Sequence, residues 1–140
     1  MREIIFRGIR KDTHELVYGF YGEYFNGKKN IPCISIVDTH AIAGSFCYEV
    51  IPETVGQFTG LTDKNGTRVF EGDIVKLTIN RNYIFSVDWV NDCGMYCLKC
   101  LNRHPKHNFE ALDTDFTVFN GDETEIIGNI HDNADLLIIK

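Results

Sequence analysis

Nowhere in the 140 residues does an apolar run reach the ~18 positions that a helix needs to cross a bilayer. The opening stretch, MREIIFRGIRKD, sets charges on both sides of a very short apolar segment. It lacks the apolar core and small-residue cleavage site of a secretory signal. A cytoplasmic protein with no membrane partner is expected. Cysteine does not come in an even number: there are five, which suits free thiols in a reducing compartment better than a disulfide framework. Lys and Arg are absent between Glu110 and Asp135, where eight acidic residues stand (Glu110, Asp113, Asp115, Asp122, Glu123, Glu125, Asp132 and Asp135). With a net charge of −6, the chain offers little to a phosphate backbone unless a local basic patch does so. No amphipathic pattern is long enough for a crossover helix, which argues against an α/β fold. Internal repeats and low-complexity linkers are missing too.

What is abundant is aromatic and β-branched: ten Phe and six Tyr join many Val and Ile. These residues alternate with a period of two. Ile4, Phe6 and Gly8 lead into the polar turn Lys11–Glu15, and Leu16, Tyr18 and Phe20 return, so residues 3–22 read as a hairpin. After the turn Asn26–Asn30, Ile34 and Ile36 mark a third strand, and Phe46, Tyr48 and Val50 a fourth. Pro52 followed by Glu53 favours a short helical or 3₁₀ turn. Asn65-Gly66 is a strong tight-turn signal, and Glu71-Gly72-Asp73 turns again. Val75, Leu77 and Ile79 then share one face and Phe85, Val87 and Trp89 another, with a turn at Asn80–Asn82 between them. Asn91–Gly94 turns into a strand from Met95 to Leu101, and residues 102–115 read as a long polar loop. Phe116–Phe119, Asn120–Asp122 and Glu125–Ile130 read as a final hairpin, and Asp132 as the cap of one helical turn. The fold class expected is all-β: short antiparallel strands in a small SH3-like barrel plus an N-terminal β lobe. One domain, 1–140, would hold two lobes, 1–58 and 59–140, with the boundary between Pro52 and Gly60.

Four kinds of chemistry are to be set against this pattern. Cys93, Cys97, Cys100, His104 and His107 lie within fifteen residues, and zinc wants four such ligands in a tetrahedron. Cys97 and Cys100, however, point to opposite faces of a strand, Leu-Lys stands between them where a knuckle wants Gly, and the His spacing is short. Buried or bystander thiols are the better reading, and no metal or other cofactor is expected. For covalent catalysis, no Gly-x-Ser-x-Gly elbow occurs, Gly44-Ser45 reads as a turn, and nothing marks any Cys or His as activated. The pairs Asp113 with Asp115 and Glu123 with Glu125 read as a solvated acidic face. The loop Lys99–His107 carries Lys99, Arg103 and Lys106 near Tyr96 and Phe109. Basic and aromatic groups interleaved in this way grip single-stranded nucleic acid, so these three residues are the candidate nucleic-acid contacts.

Several segments resemble a known family. They are Phe6-Arg7-Gly8, Tyr18-Gly19, the run Pro52–Leu61, Asp63–Gly66, Glu71–Val75, and Ile127–Asn133 followed by Leu136-Leu137. Taken in this order, they are similar to the YopX family, small proteins encoded in bacteriophage and prophage genomes. Residues 80–124 carry no pattern of it. The resemblance implies a mainly β fold and, because the family is one of unknown function, little about activity. The chain is therefore expected to be a non-enzymatic accessory or interaction protein of phage biology, binding a phage or host protein, with homo-oligomerisation open. A nucleic-acid-binding module using the Lys99–His107 loop is the alternative.

Overall fold

The computed structural model describes residues 3–37, 45–78, 83–101 and 116–133. Its contacts divide the chain into two compact units, Met1–Phe58 and Thr59–Lys140. Both are built from antiparallel strands, and the fold is mainly β.

In the first unit β1 (Phe6–Ile9) pairs with β2 (Leu16–Phe25), β2 with β3 (Asn30–Val37), and β3 with β4 (Ser45–Glu49). Polar side chains close the turns, as expected for Asx-type geometry: Asn26 Oδ1 accepts from the N–H groups of Lys28 and Lys29 at 2.9 and 3.0 Å. Beyond β4 the chain returns to the end of β1 through the Arg10–Val50 bridge. Pro52–Thr54 then forms a 3₁₀ turn, as Pro at the first position favours. Thr54 Oγ1 accepts from the Ile9 N–H at 2.9 Å, which pins the turn to β1, and donates to the Ile51 carbonyl at 2.6 Å, which closes the turn on itself. Next, β5 (Gly56–Thr62) starts alongside β1, with Gly56 opposite Arg7. Alternation sends Val17, Ile34 and Val50 into a common cluster, flanked by Phe6, Ile36, Tyr48 and Val55.

In the second unit the end of β5 pairs with β6 (Arg68–Phe70) around the Asp63–Gly66 turn. A five-stranded sheet follows, made from β7 (Asp73–Leu77), β8 (Ile84–Val90), β9 (Met95–Cys100), β10 (Phe116–Val118) and β11 (Thr124–Asn129). Its order is β10-β9-β8-β7-β11. Val69, Val75, Phe85, Val87, Leu98 and Phe119 form the core, which matches the predicted inward positions of β7 and β8. At the corner between β6 and β7, Gly72 takes φ +91°, a conformation that only glycine adopts cheaply. Its N–H donates to the Val87 carbonyl and its own carbonyl accepts from the Ile130 N–H. Beside it the Asp73 carboxylate accepts from the Phe70 N–H at 2.8 Å, reaching three residues back to close the corner.

Two expectations need correction. The second unit is an open sheet, with β10 and β11 at its two ends, and not a closed SH3-like barrel. The final hairpin does not form: β10 pairs with β9 and β11 with β7. The residues between them, Gly121–Glu123, make a 3₁₀ turn capped by Asn120, whose side chain accepts from the Asp122 N–H. That turn releases the chain from one edge of the sheet and lets it join the other. Near the end, Asn129 Oδ1 accepts from the N–H groups of His131 and Asp132 at 3.0 and 2.9 Å, and the helical turn expected from Asp132 onward runs into residues outside the described ones. The turn at Asn80–Asn82, residue Ile79, the loop 102–115 and the segment from Ala134 onward lie outside the described residues.

Candidate functional site

Strand β2 is ten residues long and carries aromatics on both faces. Val17, Gly19 and Tyr21 face the cluster around Ile34, and Tyr21 packs on Phe6 with ring centroids 5.9 Å apart. Tyr18, Phe20 and Tyr24 therefore lie on the opposite face, together with Leu16. They are 45%, 58% and 48% exposed, and Phe25 at the strand end is 66% exposed. Gly22 sits in the middle of this aromatic row, and a β-carbon there would meet nothing within 4 Å. The row thus has an open gap in its centre, between Phe20 and Tyr24. Scattered apolar side chains are ordinary at a surface, but several large ones in line on one strand are not.

The neighbouring strands place two thiols on this same face. Ser35 pairs with Cys47 and Cys33 with Glu49, so Cys33 and Cys47 are diagonal neighbours across β3 and β4. Cys33 is buried and Cys47 exposed. Burial, and then the hydrogen bond to Cys47, push the Cys33 thiol up to about 11. Cys47 also lines a cavity of about 300 Å³ with Lys11, Asp12, Tyr48 and Glu49. Lys11 Nζ reaches Glu49 Oε1 at 3.2 Å. The Arg10 guanidinium lies 4.0 Å from the centre of the Tyr48 ring and 2.7 Å from Asp12, which holds the Asp12 carboxyl below its ordinary range.

Of the three candidate nucleic-acid contacts, Lys99 alone lies among the described residues. Lys99 is exposed on β9, opposite Ser86 and Phe116 in the register. It lies on the other face from Tyr96, which packs on the core and meets Trp89 edge-on at 5.0 Å. The interleaving of Lys99 with Tyr96 expected from their proximity in sequence is therefore lost to strand alternation. Arg103, Lys106, His104, His107 and Phe109 lie outside the described residues. Cys97 is buried on one face of β9, while Cys100 packs against the core on the other, the divergence that strand alternation predicts. Cys93, in the preceding turn, is the thiol that Cys97 meets: burial raises the Cys97 thiol above its usual value, helped by the charge of Cys93 and a hydrogen bond to it. Among the described residues no group of three or more His, Cys, Asp or Glu side chains is arranged to hold a metal ion. Glu123 and Glu125 do not form a pair either, since Glu123 belongs to the 3₁₀ turn and Glu125 reaches Lys64 at 3.3 Å.

A family model described as YopX protein matches residues 5–138. The chain belongs to the YopX family. Among solved structures it is similar to the crystal structure of protein EF1440 from Enterococcus faecalis, at 22% identity and a TM-score of 0.54, over 99% of this chain and 100% of that one. That likeness is one of fold. No curated protein matches the chain. Within this YopX chain, the segments that carry the family resemblance build turns and anchors. Asp63 Oδ1 accepts from the N–H groups of Asn65 and Thr67, and its Oδ2 from the Ile126 N–H at 3.1 Å. Thr59 Oγ1 donates to the Val69 carbonyl at 2.8 Å, and Asn133 Oδ1 accepts from the Asn129 N–H at 3.1 Å. No helix among the described residues is long and apolar enough to cross a membrane.

The aromatic row and the Cys33–Cys47 pair were both missed by the sequence reading. A signal for them existed. Strands marked by Ile34 and Ile36 and by Phe46 and Tyr48 put residues 33 and 47 on the alternate faces of adjacent strands. What the chain alone does not supply is the register that makes them diagonal neighbours.

Proposed function

We propose that this YopX-family chain is a non-catalytic interaction protein of phage biology, acting in the cytoplasm of a bacterial host. It docks a phage or host protein on the outward face of β2. The observation that carries this reading is the row Tyr18, Phe20 and Tyr24, exposed on the face opposite the Val17–Ile34–Val50 cluster. Tyr and Phe are favoured where proteins meet, because each covers a large area at low entropic cost, and the gap at Gly22 leaves space for an inserted side chain. Because these rings do not contribute to the core, changing them should leave the fold intact.

The test is capture of partners from phage-producing cells by the wild type and by Phe20→Glu and Tyr24→Glu, each shown by circular dichroism to be folded. A specific protein retained by the wild type and lost from both variants supports the reading. Recovery of the bait alone, or of the same proteins with the variants, sinks it.

A further inference from the structure

The geometry points to Cys47 as a reversible oxidation site whose resolving thiol is Cys33, so that an oxidant of the peroxide class converts the pair into a disulfide between β3 and β4. This inference is independent of the docking face proposed above. It stands first on the strand register, which sets the two residues diagonally on one face with their thiols in hydrogen-bond contact. It stands second on accessibility: Cys47 is exposed and opens onto a cavity that also holds Lys11, while Cys33 is buried behind it. One reachable sulfur with a second thiol poised beside it is the arrangement in which a sulfenic acid is resolved to a disulfide. Burial raises the Cys33 thiol, so its attack through the minor thiolate form is the slower of the two steps.

The steps balance. The Cys47 sulfur attacks one oxygen of hydrogen peroxide, the O–O bond breaks, and water leaves with the second oxygen, giving a sulfenic acid. The Cys33 sulfur then attacks the Cys47 sulfur. The S–O bond breaks, and the hydroxide takes up the Cys33 proton and departs as water. Two thiols and one peroxide become one disulfide and two waters. Diagonal neighbours across an antiparallel pair are about 7–8 Å apart, more than the ~5.5–6 Å Cα span of a relaxed disulfide. Closing the bond therefore draws β4 along β3 and leaves it strained, and strained disulfides are the readily reduced kind.

The experiment treats the full-length protein, all five cysteines present, with hydrogen peroxide, and then maps its peptides without reduction. The expected result is a peptide joining Cys33 to Cys47, lighter by two hydrogens than the two thiol peptides together. Dithiothreitol should open it, Cys47→Ser should abolish it, and Cys93→Ser should retain it. Three results overturn the proposal. In one, Cys47 ends as a sulfinic acid beside a free Cys33. In another, Cys47 links two copies of the chain. In the third, Cys93 and Cys97 join while Cys33 and Cys47 remain free to react with iodoacetamide.

Discussion

Gly19 and Gly22 stand three positions apart on one strand, yet their surroundings differ completely. A β-carbon at Gly19 would overlap the Ser35 carbonyl oxygen, which is backbone and cannot swing aside. At Gly22 it would enter open space. Gly19→Ala should therefore cost about 1–3 kcal/mol, the usual penalty of forcing atoms into filled volume. Gly22→Ala should be neutral or stabilise by about 0.4–1 kcal/mol, through the unfolded chain. Urea titration of the two variants checks both signs, and equal effects would contradict the packing described. Cys33 supplies a second expectation at this scale. Its thiol titrates near 9.0 in an unfolded chain and at about 11 in the fold, so the folded state holds its proton more tightly. That contribution to stability is complete below pH 9 and is lost as pH rises towards 11. The wild type should thus lose stability across this window faster than Cys33→Ala, measured as the difference between their denaturation midpoints. Much at this scale was legible in the chain: alternation alone predicted that Cys97 and Cys100 diverge. The crowding at Gly19 was not, because it comes from the backbone of another strand.

Strands β10 and β11 show where reading by elements stops. Both were recognisable from their alternating residues, and Asn120-Gly121-Asp122 from its turn chemistry. Turn chemistry is local, though, and states only that the chain bends. Whether the next strand pairs with the last or crosses to the far edge depends on which edge has a partner to offer. Here β7 offers one, and Asp63 helps to hold it. The Asp63 carboxylate is buried and bonds two amides of its own turn as well as the Ile126 amide of β11, 63 positions away. The turn signal Asp63–Gly66 revealed the first two bonds and gave no hint of the third. Asp63→Ala removes the acceptor of all three amides; these hydrogen bonds are part-buried and water can replace some of them, so the loss should be about 1–3 kcal/mol. Asp63→Asn keeps an accepting oxygen and should cost less. A denaturant midpoint that shifts with an unchanged slope would show that stability alone has altered. If Asp63→Ala proved as stable as the wild type, the anchoring of β11 would rest elsewhere.

At the scale of the whole molecule, two features oppose each other: a net charge of −6 and an exposed aromatic row on β2. The charge keeps copies apart over about one Debye length, ~10 Å at 0.1 M salt and ~3 Å at 1 M. Apolar attraction is not screened by salt, and it persists when the repulsion has gone. Self-association should accordingly grow as sodium chloride is raised, and the added mass should depend on the aromatic row. Phe20→Glu both breaks the row and adds a negative charge, so its sedimentation should stay that of the wild type at low salt across the titration. A contact made through ion pairs, such as the acidic segment of one copy meeting Lys28 and Lys29 of another, would behave in the opposite way and dissolve as salt increases. The direction of the salt response therefore separates an apolar docking face from an electrostatic one. If the wild type and Phe20→Glu associate equally, the row on β2 is not the surface by which this molecule meets another.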